Sequence, residues 1–329
     1  MLVGGFGTRL RPLTLSTPKQ MLPVGNRPML ERVVEHLAGH GVDRAVLSLG
    51  YRPDAFRDAY PDGTCAGVEL HYAVEPEPRD TAGAIRFAAD DAGITERFLV
   101  VNGDVLTDLD VTELVARHEA VGAEATLALH RVEDPSAFGV VPTEPDGRVV
   151  AFIEKPPRDE APTDLINAGT YVLEPSVLAR IEPDVPVNVE RVTFPAIAAD
   201  RALYAFDGDT YWIDAGTPAT LLQANLDLLT DRRGAPEDGV HPEARVEGSV
   251  TRSWIGAGAV VREGAHVEGA LVLPGAVVDR RAVVRDAIIG PGALVGEGAT
   301  VDDGSVLGDD VRIAPGDVLH GARVPAPVP

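Results

Sequence analysis

Only two of the chain's 29 basic residues are lysines, Lys19 and Lys155. An ammonium is a compact charge that meets one oxygen, whereas a guanidinium is a planar fork. Both positions are therefore candidate phosphate contacts of a kind arginine does not reproduce, with chance survival on a solvated face as the competing explanation. Lys19 follows the glycine-rich opening Gly4-Gly5-Phe6-Gly7-Thr8-Arg9. Backbone N–H groups of Gly4, Gly5, Gly7 and Thr8 can converge on phosphate oxygens, and Arg9 with Lys19 would bring a fork and a point charge to one polyphosphate. This is no Walker loop, because no Gly-Lys-Ser/Thr follows, and no dinucleotide fingerprint, because Leu10 stands where the third glycine belongs. Asp104, ending the apolar run 98–104, and Asp214, after Tyr211-Trp212, offer hard carboxylate oxygens suited to Mg²⁺. A cap or loop role is the alternative for each.

Alternating elements must position these groups. Residues 44–50, 68–72 and 98–104 read as strands, while 28–37 and 111–121 place apolar residues at helical spacing. Strand and helix in alternation predict a doubly wound, mostly parallel sheet that binds ligands beyond the carboxyl ends of its strands. An antiparallel or mixed extension is expected over 124–173. The boundaries read as a first domain over 1–231, a polar linker over 232–244 and a second domain over 245–329. In the last, apolar residues recur every six positions, shortened to five twice: Ile255, Val261, Val267, Val272, Val278, Val284, Ile289, Val295, Val301, Leu307, Ile313 and Leu319. Period six with intervening glycine is the mark of a parallel β-helix of hexapeptide repeats.

Composition narrows the function further. A net charge of −22 argues against nucleic acid or anionic membrane as a general partner. No apolar run approaches the roughly 18 residues of a membrane span, no secretory signal is readable, and the single Cys65 cannot close an internal disulfide. A cytoplasmic location is expected.

The run from Gly4 to Val24 resembles the N-terminal motif of the sugar-1-phosphate nucleotidyltransferases. The resemblance continues through Asn102-Gly103-Asp104, Phe138-Gly139-Val140, Phe152-Ile153-Glu154-Lys155-Pro156, Asn167-Ala168-Gly169 and Tyr211-Trp212-Ile213-Asp214-Ala215-Gly216. It implies a Rossmann-like α/β nucleotidyltransferase domain followed by a C-terminal left-handed β-helix, as in the family's guanylyltransferases. The implied reaction joins a nucleoside triphosphate, GTP by preference, to a sugar 1-phosphate, mannose 1-phosphate by preference, with Mg²⁺. Arg9 and Lys19 would be catalytic. Gly4, Gly5, Gly7, Thr8, Glu75, Thr81 and Gly83 would bind nucleotide; Gly139, Glu154, Lys155, Asn167 and Gly169 the sugar phosphate; Asp104 and Asp214 the metal. Val187-Asn-Val-Glu190-Arg191-Val-Thr-Phe-Pro195 resembles the segment following the sugar site in the guanylyltransferases. A homo-oligomer assembled through the β-helix is expected.

Two departures stand out. Family members usually carry about four residues more ahead of the glycines, giving the first strand its length, so an upstream start is expected. The family more often has Leu-Gly where this chain has Arg79-Asp80, which would bring a carboxylate close to the nucleotide. Glu75, three residues before Pro78, aligns with the position that meets the base edge; a carboxylate there accepts both donors of guanine, N1–H and the exocyclic amine. The alternatives are thymidylyl or uridylyl transfer to glucose 1-phosphate, a non-catalytic subunit that senses nucleotide sugars, and acyl transfer at the β-helix with His266 as base.

Overall fold

The computed structural model describes residues 1–50 and 52–326. Their contacts divide into two compact units: Met1–Gly5 with Val33–Trp212, and Phe6–Arg32 with Ile213–Pro329. The second unit thus takes in two stretches on the N-terminal side of the boundary expected at residue 231, and the reason lies in its core.

In the first unit, strand β1 (Arg44–Leu49) pairs in parallel with β2 (Val68–Val74), and Thr64–Cys65 adds an antiparallel edge. A second sheet carries β3 (Phe98–Val101), β4 (Ala125–Arg131), β5 (Gly139–Val140), β6 (Ile153–Glu154), β7 (Leu165–Leu173) and β8 (Leu203–Asp207). Here β7 runs antiparallel to β3, β4 and β5, and β8 runs parallel to β4. The extension expected over 124–173 is therefore present and antiparallel, while β1/β2, β4/β8 and the bridges of the N-terminal segment are parallel. Leu2 links the two sheets, bridging in parallel to Ser48 and to Asn102. Below that bridge a cavity of about 300 Å³ opens between β1 and β3, walled by Val46, Val100, Ile85 and Met1.

Helices cover the sheets where the 3.6-residue period demands it. Helix α1 spans Met29–Gly39, α2 Asp80–Asp91 and α3 Val111–Val121. In α3 the Asp110 carboxylate accepts the Glu113 N–H at 2.9 Å, and Gly122 closes the helix at φ 63°. Leu127, Val141, Phe152, Tyr171, Phe194 and Leu203 form the core of this unit. A single π-turn, Val189–Thr193, leads into helix α4 (Phe194–Ala199).

In the second unit, three five-stranded parallel sheets build a β-helix of about five turns. Ile255, Val272, Ile289 and Leu307 stack in register, one per turn, and the expected inward positions from Ile255 to Ile313 are buried. Trp254, Leu271, Ile288 and Val306 point outward from one sheet yet are also buried. A solvated β-helix would leave that column wet, so its burial explains why Phe6–Arg32 and helix α5 (Pro218–Asp227) belong to this unit. Trp254, 1% exposed, donates its Nε1–H to Asn26 at 3.3 Å. Asn225 accepts the Gly25 N–H at 2.8 Å, and Arg32 makes a two-pronged pair with Glu237 of the linker at 2.8 and 2.9 Å.

Candidate active site

Three neighbouring strands of the first unit assemble the expected sugar-phosphate residues. Gly139 on β5 lies opposite Glu154 on β6, and the next residue, Val140, is opposite Ile166 on β7, one position before Asn167. A Cβ at Gly139 would stand 2.6 Å from the Phe152 ring and 3.1 Å from the Glu154 carboxylate, so only glycine leaves room for that carboxylate to cross the strand. The Lys155 ammonium pairs with Glu154 at 3.0 Å from a backbone held at φ 50°, where the Lys155 N–H donates to the Phe138 carbonyl. Asn167 is fixed on both sides: its amide nitrogen donates to the Tyr171 hydroxyl at 2.9 Å, and its carbonyl oxygen accepts the Gly169 N–H at 3.0 Å. The ladder slips between Asn167 and Tyr171, a bulge that turns Gly169 to φ 76°.

That bulge also sets Asp104. The Asn102 N–H donates to the Gly169 carbonyl, and a Cβ on Gly169 would lie 2.6 Å from the Asn102 side chain. Gly169 therefore serves by letting the turn 102–104 approach, and Asp104, 8% exposed, sits at the carboxyl end of β3 where an α/β sheet binds ligands.

On the nucleotide side of the same unit, Gly5 adopts φ 111° with open space around its Cβ position, while Gly4 runs beside Ser48 and Gly50. Glu75 spends one oxygen on the Ser48 hydroxyl at 3.0 Å and the other on the Arg79 N–H at 3.1 Å. Thr81 and Gly83 are engaged elsewhere. The Thr81 hydroxyl donates to Glu190 at 2.7 Å, and the Gly83 N–H donates to the Val187 carbonyl at 3.1 Å, with only 2.9 Å from a Gly83 Cβ to the Val185 carbonyl. Burial pushes the Glu190 carboxyl above the usual range, with Glu154 and Asp80 adding to the shift.

The second unit holds the remaining candidates. Gly7 turns at φ 57°, its carbonyl accepts the Thr14 hydroxyl at 2.7 Å, and its Cβ position lies 3.4 Å from the Lys19 Cβ. Thr8 and Arg9 open the short 3₁₀ helix Thr8–Leu10. The Arg9 guanidinium lies 3.9 Å from Asp214 with its side chain 62% exposed, a pair loose and wet enough to yield to a phosphate. Gly216 permits that approach, since its Cβ would fall 2.7 Å from both partners, and its N–H donates to Asp214 at 2.8 Å. Each unit thus gathers its own share of the expected residues. Ser48, Tyr171 and Gly216 are the supports that motif reading did not single out. Ser48 acts across to the distant Glu75, where no local pattern marks it, Tyr171 acts along its own strand across the bulge, and Gly216 stood inside a quoted motif.

Comparison with known proteins follows this geometry. The family model described as nucleotidyl transferase matches residues 1–231, and the model described as GMPPB C-terminal domain matches 235–328. The chain belongs to the nucleotidyl transferase family. It is 39% identical over 284 residues to a mannose-1-phosphate guanylyltransferase of Mycobacterium tuberculosis, covering 83% of this chain and 78% of the relative. It is 41% identical over 255 residues to a mannose-1-phosphate guanyltransferase of Schizosaccharomyces pombe, covering 76% and 69%. Among solved structures it resembles HddC from Yersinia pseudotuberculosis complexed with GMP-PN, at 28% identity and TM-score 0.56, covering 68% of this chain and 96% of that one. Among the described residues no helix is long and apolar enough to cross a membrane, and no cluster of three or more His, Cys, Asp or Glu side chains forms a ready-made metal cage.

Proposed function

We propose that this protein transfers the guanylyl group of GTP to mannose 1-phosphate, giving GDP-mannose and pyrophosphate. What carries the reading is the convergence of Gly139, Glu154, Lys155 and Asn167 on adjacent strands, in a chain whose relatives over most of its length are named for that activity. A phosphate oxygen of the sugar phosphate forms a bond to the α-phosphorus, the bond from that phosphorus to the bridging oxygen breaks, and pyrophosphate leaves with its electron pair. The nucleophile is already ionised near neutral pH. The protein therefore needs no covalent intermediate and no strong base; its work is to align two polyanions and spread the developing charge.

In this reading Lys155 binds the sugar phosphate while Glu154 and Asn167 accept and donate to sugar hydroxyls. Arg9, Lys19 and the amides of Gly4, Gly5, Gly7 and Thr8 bind the triphosphate. By the resemblance, Asp104 and Asp214 would each offer Mg²⁺ a carboxylate, a donor that suits a small hard cation better than a soft one, and the ion would supply charge neutralisation on the phosphates. The β-helix is the proposed surface for assembly into a homo-oligomer, and the cytoplasm, where nucleoside triphosphates are consumed in biosynthesis, the proposed location.

Pyrophosphate release measured with GTP, ATP, dTTP and UTP against mannose and glucose 1-phosphates tests this directly. The highest kcat/KM is expected for GTP with mannose 1-phosphate. A maximum with dTTP or UTP and glucose 1-phosphate would replace the specificity, and no release from any pair would leave a nucleotide-sugar sensor as the better reading.

A further inference from the structure

Asp80 and Thr81 sit in the loop that the resemblance assigns to nucleotide, yet their side chains turn away to another segment. Asp80 holds the left-handed φ of 57° where the family more often has glycine. Its Oδ1 accepts two hydrogen bonds, from the Thr81 N–H at 2.7 Å and from the Asn188 side-chain amide at 3.0 Å. The Thr81 hydroxyl accepts the Val189 N–H at 2.9 Å and donates to Glu190 Oε2 at 2.7 Å. The Arg79 carbonyl accepts the Val187 N–H at 3.0 Å, its guanidinium pairs with Asp184 at 2.7 Å, and the Val187 carbonyl takes the N–H groups of Ala82 and Gly83. The first turn of α2, ordinarily an anion site, is thus consumed by a strap of protein, residues 184–190. The strap ends in the π-turn Val189–Thr193, which packs against β6, the strand of Glu154. π-Turns are frequent at functional sites, and Glu190 lies within this one.

We propose that Asp80 and Thr81 are positioning residues for the sugar-phosphate half of the reaction: through the strap they set the Glu190 carboxylate beside Glu154. This rests on the transferase reading above. The departure from Leu-Gly at 79–80 then has a purpose, because Asp80 replaces the freedom of glycine with an anchor for Asn188. The groups facing Glu190 are the Thr81 hydroxyl, the carboxylates of Asp80 and of Glu154 with its Lys155 partner, and buried Tyr171. The Thr81 hydroxyl, together with the backbone hydrogen bond at Glu190, lowers the Glu190 pKa against its burial, so removal of the hydroxyl raises that pKa further.

The test separates the two substrates. Thr81→Val keeps the shape and removes the hydroxyl; it should raise the KM for mannose 1-phosphate about tenfold, the scale of one lost hydrogen bond to a charged group, and leave the KM for GTP within about twofold. The acid limb of kcat/KM for the sugar phosphate should move to higher pH, and Thr81→Ser should restore both values. Asn188→Asp, which keeps the cap on the Arg191 N–H and sets a second carboxylate against Asp80, should act in the same direction and carries the test if Thr81→Val does not fold. An effect confined to the KM for GTP, or none on either, overturns the proposal. Should the wild-type chain release no pyrophosphate, the transferase reading falls separately. Carboxyl ¹³C titration of Glu190 then decides the coupling, an unmoved midpoint in Thr81→Val refuting it.

Discussion

The lysines are the sharpest residue-scale test. Lys19→Ala and Asp104→Ala should each lower turnover by at least about a hundredfold with the melting curve preserved, the scale of one lost charge contact in a phosphoryl transition state. Normal turnover in either variant would remove that residue from the machinery. Lys155→Arg should chiefly raise the KM for sugar phosphate, because a planar fork would replace the point charge that Glu154 holds at 3.0 Å. Glu75 is a subtler case. Both its oxygens already hold the loop, one through Ser48 and one through the Arg79 N–H, so Glu75→Gln would weaken every nucleotide to some degree. Guanine reading is isolated by the ratio of kcat/KM for GTP to that for dTTP, expected to fall by a factor corresponding to about 1 to 3 kcal/mol. A ratio unchanged while all nucleotides weaken would leave Glu75 a loop support only.

At the scale of elements, the β5/β6/β7 ladder is where packing and function are hardest to separate. Gly139→Ala would drive a methyl group into the Phe152 ring and toward Glu154. Overpacking of this kind typically costs about 1 to 3 kcal/mol, so chemical denaturation should show that loss together with a raised KM for sugar phosphate. Unchanged stability would mean that Phe152 rotates aside freely. A change at Gly5, whose Cβ position meets nothing, strains only the backbone at φ 111°. Its effect should fall on nucleotide affinity more than on melting.

The whole molecule adds two expectations. A fragment ending near Thr230 would carry Phe6–Arg32 and α5 without the outward column of Trp254, Leu271, Ile288 and Val306, and would strip Arg32 of Glu237. Independent apolar patterns in the two sequence-level domains suggest that such a fragment folds intact. The shared core revises this: the fragment should melt lower and less cooperatively than the full chain by calorimetry, and an equal, sharp transition would show that the column is dispensable. The second concerns acid. In a chain starting at Met1 the α-amine is buried and donates to the Val46 carbonyl at 2.8 Å, and its pKa falls from 8.0 to about 5. Burial likewise lowers His118, which bonds Thr126 at 2.8 Å inside the core. For a base whose folded pKa is depressed, the unfolded chain binds the extra proton, so stability rises with pH across the window between the two values. Melting temperature should therefore climb from pH 5 to 8, and blocking the amine by acetylation should flatten the upper part of that slope.

Period and motif made the β-helix legible from sequence alone, because a six-residue repeat of apolar side chains has one way to bury itself, and they made the phosphate-handling lysines and aspartates candidates, because those chemistries admit few residue types. Sequence likewise located α1 and α3, but not α2, whose buried face at Ala82, Ile85, Ala88 and Ala89 is built mostly of small residues that do not stand out as apolar. Only the tertiary structure shows what Thr81, Gly83 and Gly169 contact. Each lies in a motif that suggests a ligand, yet each is committed to another stretch of backbone or side chain: Thr81 and Gly83 to the strap, Gly169 to the Asn102 turn. Tertiary structure alone also assigned Phe6–Arg32 to the unit of the β-helix. The physical reason is common to both. Local sequence constrains dihedral preference and the period of burial, while the identity of the partner across a contact depends on which distant segment arrives to satisfy a hydrogen bond or cover an apolar column.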